Sequence, residues 1–438
     1  MLCRSNRSLI ERPCASGTGR GLIALAVLFA FSAVQAHAAP LTIDDALRLA
    51  QERSRQLPAQ QALAAAAREM ASAAGQRPDP TLKAGINNLP IDGPDRFSLS
   101  RDFMTMRSIG LMQEFTREGK LNARTARFER EAEVAEAGRE LALANLRRDT
   151  AIAWLDRYYQ ERIRDVLVSQ RDEAMLQIDA ADAAYRGGKG SQADVFAARS
   201  SVAQIEDRLA QTQRHVATAT TQLARWIGVP AAEALGAAPP LDAVRLRDED
   251  LDSQLAHHPQ IEVMARQEAM AQADVEVAQA NKKPDVSVEL MVSQRGSAYS
   301  NMVSVNLSVP LQWNQRNRQD REVAAKLAVV EQVRAEREEA TRAHIAEALA
   351  MLQEWRSDRE RLTRYDTSLL PLTAERTRAA LAAYRGGSGT LTAVLEARRG
   401  EIDARMERLR LEMEAARLWA QINYLIPVGH DTPRASRH

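Results

Sequence analysis

Residues 183–199 read AAYRGGKGSQADVFAAR, and residues 382–398 read AAYRGGSGTLTAVLEAR. Each copy follows a long stretch rich in Ala, Arg and Glu and leads into an apolar pattern at helical spacing. The Gly-Gly pair in each copy predicts the positive φ angles that end a helix, and Ser191 and Thr390 stand where a helix N-cap belongs. The sequence therefore predicts two tight turns between antiparallel helices, at matching points of two halves of the chain.

Composition favours long helices over a thick globular core. The chain has 438 residues, of which 27% are charged and 4% aromatic, with a formal net charge of +1. Such a composition is typical of helical bundles, and the absence of a basic bias argues against nucleic acid as a partner. The sequence contains no HExxH, GxSxG, phosphate-loop or dinucleotide motif, so we expect no catalytic residues, no bound cofactor and no resident metal.

Residues 1–38 have the pattern of a secretory signal peptide. Residues 1–20 are basic, residues 21–34 form an apolar run too short to span a bilayer, and Ala36-His37-Ala38 fits a cleavage signal. The alternative is a membrane anchor that is retained. Both cysteines, Cys3 and Cys14, precede the apolar run, so the mature chain is expected to have no disulfide and no lipid anchor on an N-terminal cysteine.

Each half is predicted to contain a helix, two strands, a long helix, the turn and a final helix. We place the first repeat at residues 39–227, a connector at 228–248, the second repeat at 249–427 and a C-terminal tail at 428–438. Residues 117–184 contain no proline and no glycine pair, which predicts one helix on the order of 100 Å long. Residues 317–383 repeat this pattern, with a kink expected at Pro371, and residues 249–281 are predicted to be helical.

The strand patterns predict a membrane-inserted sheet. In residues 286–292 and 303–309 aliphatic residues alternate with Ser, Asn, Glu and Met, and residues 81–115 hold a weaker strand pair. Strands of this length can cross a bilayer when tilted, but barrels of this kind begin at eight strands. Because open edges in lipid leave backbone groups unpaired, several chains must share one barrel, and a trimer supplies twelve strands. The alternative is a soluble antiparallel sheet packed on helices.

The duplicated plan and the paired Tyr-x-x-Gly turns resemble the TolC family of outer-membrane efflux channels over essentially the whole mature chain. Asp79-Pro80-x-Leu82, Asn87-Asn88-Leu89-Pro90-Ile91 and Asp102-Phe103-Met104-Thr105-Met106 resemble its heavy-metal branch, which includes CzcC and CusC. The resemblance implies a mainly α chain with a small membrane β part, assembled as a trimeric 12-stranded β-barrel continued by a long α-helical barrel. Members like CusC often carry a lipid anchor on an N-terminal cysteine, which this chain lacks.

The resemblance also implies functional residues. The periplasmic tip, where an adaptor docks, would include Tyr185, Gly187, Gly188, Tyr384, Gly386 and Gly387. Asp194 and Glu396 match acidic positions that form a pore gate, and an acidic ring would select cations. Ala393 and Gly389 replace an acid and a frequently basic residue of the family, so the gate is expected to hold less firmly. The alternative interpretations are ordinary glycine caps for the turns and solvated helix faces for the acids.

The implied function is that of a passive exit duct in the outer membrane, extending into the periplasm. Its partners would be two further copies of the chain, membrane lipid, a periplasmic adaptor and an inner-membrane pump of the resistance–nodulation–division (RND) class, with heavy-metal cations as cargo. The alternatives are a drug-efflux or type I secretion channel, or a soluble periplasmic coiled-coil scaffold. Met104, Met106 and Met112 could bind a soft metal through their thioethers, but packing is the favoured interpretation.

Overall fold

A computed structural model describes residues 40–247 and 251–426. The predicted signal peptide and C-terminal tail lie outside the described residues. The first half contains α1 (Ile43–Arg53), α2 (Gln56–Ala74), β1 (Thr81–Asn87), β2 (Met106–Phe115), α3 (Glu118–Arg186) and α4 (Gln192–Ile227). The second half contains α5 (Leu251–Leu255), α6 (Pro259–Ala280), β3 (Val286–Gln294), β4 (Met302–Ser308), α7 (Gln319–Arg364), α8 (Leu370–Arg385) and α9 (Leu391–Asn423). Helix α3 has 69 residues, which confirms the predicted long helix.

Two of the predicted helical regions are interrupted next to a proline. The helical region predicted over residues 249–281 is confirmed for its described residues, but it consists of two helices, α5 and α6, which a short turn before Pro259 separates. His258 is the N-cap of α6, with its backbone in the extended region that proline imposes on the preceding residue. The second long helix widens into a π-helical turn over Tyr365–Leu369. This turn lies just before Pro371, which cannot donate a hydrogen bond to the preceding turn.

The four strands form one antiparallel sheet in the order β1-β2-β3-β4. The aliphatic residues of all four strands share one face, hereafter the apolar face, which also carries Arg107 and Gln113 at opposite ends of β2. Its aliphatic residues are Leu82, Ala84, Ile86, Ile109, Leu111, Val288, Leu290, Val292, Val303, Val305 and Leu307. The opposite, polar face carries Lys83, Ser108, Met112, Glu289, Met291, Ser293, Ser304 and Asn306. Since side chains alternate along a strand, the observed register keeps the two sets apart.

The helical core is centred on α3, where α1, α4 and α9 pack around it. Trp154 is fully buried there with Leu155, Tyr159 and Leu223. The indole Nε1 of Trp154 donates to the carbonyl of Leu41 at 3.1 Å. This hydrogen bond attaches the segment that precedes α1 to α3. The same segment pairs with the connector through a parallel β-bridge between Leu41 and Leu235. Across the described residues, every helix is too short or too polar to cross a membrane.

Candidate functional site

The two turns end α3 and α8 in the same way. The N–H of Gly187 donates to Ala183 at 3.0 Å and that of Gly386 to Ala382 at 2.9 Å. These two glycines have φ of −81° and −77°, so the predicted positive φ comes from the second member of each pair. The second members, Gly188 and Gly387, have φ of 71° and 74°. The chain reverses at these residues because glycine enters the left-handed region without steric cost.

The helices that leave the turns are capped as predicted, but not equally. The Ser191 hydroxyl accepts from the backbone N–H of Asp194 at 3.2 Å, and the Asp194 carboxylate accepts from the backbone N–H of Ser191 at 2.9 Å. The hydrogen bond from the Ser191 backbone, with a second from its hydroxyl, lowers the pKa of Asp194. Thr390 accepts from Ala393 at 3.2 Å, and Ala393 has no carboxylate to return the bond. Asp194 therefore has a local structural role beside any role at a gate.

Both turns lie at the same end of the helices, in a region named here the tip (residues 181–198 and 380–397). A cluster of buried side chains from α3, α4 and α9 joins them: Ala181, Val195, Ala198, Leu391 and Val394. Tyr384 packs against this cluster, whereas Tyr185 is 46% exposed. The tip therefore brings all six predicted turn residues together, but it gives the two tyrosines different surroundings.

Glu396, the second acidic residue predicted to belong to a gate, is exposed on the first turns of α9, where a carboxylate stays in contact with water. Gly389 lies against the end of α8. A Cβ atom there would come within 3.0 Å of both the Ala383 Cβ and the Tyr384 backbone nitrogen. The close approach of the backbone explains why glycine occupies this position in this chain.

Farther along α9, a buried carboxylate links helices in a way that the sequence analysis missed. Glu401 is 3% exposed and contacts Arg398 at 3.2 Å and Arg405 at 2.6 Å. Arg398 also reaches Glu173 on α3 at 2.9 Å. The spacing of Arg398, Glu401 and Arg405 is the one at which helical side chains meet, so this network could have been predicted from the sequence.

A second network holds the π-helical turn to α9. The guanidinium of Arg408 donates to both carboxylate oxygens of Asp366, from Nε at 2.7 Å and from Nη2 at 3.1 Å. It also contacts Glu412. The hydrogen bond with Asp366 is the main cause that raises the pKa of Arg408. Because π-helical turns are frequent at functional sites, this two-point contact is a candidate control point for the path between α7 and the tip.

At the other end of the long helices, ion pairs join helix and sheet. Lys120 and Asp285 are both largely buried, with 2.7 Å between Nζ and Oδ2. Asp285 also accepts from the backbone N–H of Arg117 at 3.1 Å. On the polar face of the sheet Lys83 pairs with Glu289 at 3.1 Å. The junction between β3 and the start of α3 is thus fixed by a carboxylate with two donors.

The three methionines considered as metal ligands do not form one group. Met104 is 47% exposed in the loop before β2, whereas Met106 and Met112 lie on the polar face of β2. In the part of the chain that the structure describes, no group of three or more His, Cys, Asp and Glu side chains could hold a metal ion.

Residues 251–426 match the family model for outer membrane efflux protein. Among solved structures, the outer-membrane channel OprN is similar with a TM-score of 0.73 at 17% identity, covering 89% of this chain and 91% of that chain. CusC gives 0.72 at 15% identity, covering 88% and 92%, and VceC from Vibrio cholerae gives 0.69 at 18%, covering 87% and 95%. The comparison with curated proteins gave no match. These likenesses establish the fold, with its four strands and two helical hairpins per chain.

Proposed function

We propose, because this chain belongs to the outer membrane efflux protein family, that it forms the outer-membrane channel of a tripartite efflux system. It resides in the outer membrane, and its helices extend into the periplasm. Three copies would close a barrel of twelve strands. The channel itself would be passive: an inner-membrane RND pump would supply the energy, and a periplasmic adaptor would join the pump to the tip.

The observation that carries this proposal is the exposed apolar face of the sheet. Val305 is 70% exposed, Leu307 68% and Leu82 67%. These residues come from strands at opposite ends of the sheet, so the exposed apolar surface extends across its whole width. In water so large an apolar surface is unfavourable and marks an interaction site, whereas in a bilayer it is the expected outer surface of a barrel. The opposite face, with Lys83, Glu289 and the serines, would line a water-filled interior.

The position of the sheet relative to the tip supports separate roles for the two ends of the chain, the sheet in the membrane and the tip at the adaptor. The sheet lies at one end of α3 and the tip at the other, and α3 has 69 residues, which at 1.5 Å per residue gives about 100 Å. A channel of this length would carry cargo across much of the periplasm without release into it. Tyr185, Gly187, Gly188, Tyr384, Gly386 and Gly387 would then form the surface that meets the adaptor.

Heavy-metal cations are the proposed cargo. The support is the resemblance of residues 79–82, 87–91 and 102–106 to the heavy-metal branch, together with the carboxylate of Glu396 at the tip. The competing cargo classes are drugs and secreted proteins. A deletion strain should become sensitive to metal salts but not to a panel of drugs, and complementation with the intact gene should restore resistance. The opposite profile would remove the metal assignment and leave the channel.

The channel proposal is tested by extraction and conductance. We expect the protein in the outer-membrane fraction, released by detergent but not by salt, as a trimer that dissociates only on heating. In planar bilayers the trimer should conduct ions. A monomer that washes off with salt would show the soluble scaffold instead and overturn the proposal.

The gate is tested by Glu396→Gln in the same bilayer assay. Three carboxylates in a ring attract cations electrostatically, so neutralisation should lower cation selectivity, most clearly at low salt. Glu233→Gln, at an exposed acid of the connector, is the matched control and should leave selectivity unchanged. Equal selectivity of the Glu396 variant and the control would show that no acidic ring lies there.

A further inference from the structure

Within one chain, the two halves meet through a joint built of a strand pair, a helix contact and one carboxylate. Strand β2 pairs with β3, helix α6 packs against α3, and Asp285 binds Lys120 and the N-terminal backbone of α3. The outer edges of β1 and β4, at the two ends of the sheet, have no such joint in the chain. Each edge therefore presents half of the elements that the joint requires.

The sequence places equivalent residues at both free ends. Pro78-Asp79 precedes β1 as Pro284-Asp285 precedes β3. Arg117 and Arg318 are the N-caps of the two long helices α3 and α7, so Lys120 corresponds to Arg321, three residues beyond each cap. In the described chain both Asp79 and Arg321 are exposed, whereas their counterparts Asp285 and Lys120 are largely buried.

In the shared barrel described above, β1 and α2 of one copy meet β4 and α7 of the next. We propose that this contact repeats the joint found within the chain, with Asp79 paired to Arg321 of the partner subunit. This inference rests on the proposed function, which requires copies of the chain to share a barrel, and it specifies the contact that closes that barrel. Opposite charges meet at this contact, so the assembly would order copies head to tail around a ring.

The repeat also fixes the strand register between copies. In the chain, Gln113 of β2 lies opposite Val288 of β3. By the repeat, Leu82 of β1 corresponds to Val288, and the pairing within the two hairpins then makes Val309 correspond to Gln113. Leu82 would therefore lie opposite the partner's Val309. Carrying this register along the strands puts Ala84 opposite Leu307 and Ile86 opposite Val305, the partner residues coming from β4. All of these side chains belong to the apolar side of their strands. Since a shift by one residue would turn one strand over, this agreement of faces is independent support for the register.

The helices beside these strands carry matching exposed apolar groups. On α2, Leu63 and Met70 are each 51% exposed, and on α7 Leu327 is 50% and Val329 41% exposed. Helix α6 packs against both long helices, α3 and α7, whereas α2 makes its main contact with α3. A second copy would supply the missing helix, because the partner's α7 would lie against α2 as α3 lies against α6.

The connection between β4 and α7 is longer than that between β2 and α3, and its extra residues pack against the end of α6. The side chains of Gln312 and Gln315 donate to the carbonyls of Asn281 at 3.2 Å and Lys282 at 3.5 Å. Lys282 also pairs with Asp320 at 2.7 Å. The connection is thus held against the end of α6, and the first turn of α7, with Arg321, stays open to a partner.

Disulfide trapping tests the register in the assembled protein. The double variant Ala84→Cys with Leu307→Cys, in a chain whose Cys3 and Cys14 are replaced by serine, should form a reducible covalent oligomer on mild oxidation in purified outer membranes. Two strands separate β1 from β4 within a chain, or about 14 Å, so the bond must join two copies. Ala84→Cys with Val305→Cys is the matched control, two residues out of register, and should form several-fold less.

Charge exchange tests the carboxylate. Asp79→Arg and Arg321→Asp should each reduce the fraction of heat-resistant trimer several-fold, and the double exchange should restore most of it. Asp92→Arg, at an exposed acid in the loop between β1 and β2, controls for added charge and should leave the trimer intact. A normal trimer that cross-links at the control pair, or that ignores the charge variants, would overturn this joint while leaving the channel in place. A protein that is monomeric throughout would contradict the proposed function and the joint together.

Discussion

Gly387 is the residue at which the second turn depends on backbone conformation alone. Its φ is 74°, and a Cβ atom added there would meet no atom within 4 Å. Gly387→Ala should therefore lower the free energy of unfolding by roughly 1–2 kcal/mol, which is the cost of the left-handed region for a residue with a Cβ. Gly386→Ala is the control, because φ is −77° there. Equal losses in denaturant unfolding of the two variants would contradict this explanation.

His258, the N-cap of α6, makes stability depend on pH. Burial, with the nearby His344 ring and Arg148, lowers its pKa from 6.5 to about 4. Between these two pH values His258 binds a proton in the unfolded chain but not in the folded chain. The free energy of unfolding therefore falls as the pH drops from about 7 towards 4. The loss should be roughly 2 kcal/mol between pH 7.5 and 5.

The variant His258→Asn should remove most of this pH dependence. Asparagine can accept the hydrogen bond that His258 Nδ1 now receives from the backbone of Gln260 at 3.2 Å, so the cap is retained. His215→Asn, at an exposed histidine of α4, is the control. If urea unfolding of the His258 variant still weakens in acid as the wild type does, other groups cause the effect.

At the residue scale, local spacing predicted what depends on neighbours in the sequence. Ser191 and Thr390 cap their helices as expected, because a cap needs only a hydroxyl group and a backbone amide three residues farther on. The different surroundings of Tyr185 and Tyr384 could not be predicted, because they depend on which helices of the other half reach the tip.

The π-helical turn between α7 and α8 is the element for which a long-range contact matters. Arg408 binds both carboxylate oxygens of Asp366, and Asp366→Asn would leave the largely buried Arg408 paired with Glu412 alone. We expect faster amide hydrogen exchange over residues 365–385, and a loss of about 1–2 kcal/mol of stability. Glu360→Gln is the matched control, because the pair between Glu360 and Arg364 is 72% exposed on both sides and exposed pairs contribute little. Unchanged exchange in the Asp366 variant would show that the turn does not need this contact.

Among the elements, strands and long helices were predictable and their interruptions were not. The strands follow a period of two and the long helices α3 and α7 lack prolines, so both can be predicted from the local sequence. The π-helical turn replaces a simple kink because widening relieves the missing donor of Pro371, and its position is fixed by Arg408 from another helix.

At the scale of the whole molecule, one chain is an incomplete object. Its sheet has a polar face, an apolar face and two open edges, and only assembly in a bilayer would satisfy all three features. The alternation in residues 286–309 was sufficient to predict the two faces. The partners of β1 and β4 could not be predicted from alternation, because the register between copies becomes visible only when the joint between β2 and β3 is known.

The apolar face supplies the last prediction, which separates a membrane barrel from a soluble sheet. Val305→Lys places a charge on the apolar face, and Asn306→Lys places the same charge one residue away on the polar face. A lysine facing lipid near the bilayer midplane costs about 2–4 kcal/mol per chain, whereas a lysine in a watery interior costs little. We therefore expect Val305→Lys to reduce the heat-resistant trimer in the outer membrane strongly, while Asn306→Lys assembles normally and changes only ion selectivity. In a soluble sheet the order would reverse, because Val305→Lys would cover exposed apolar surface and improve solubility. The ratio of the two variants in extracted membranes thus decides which solvent the apolar face meets.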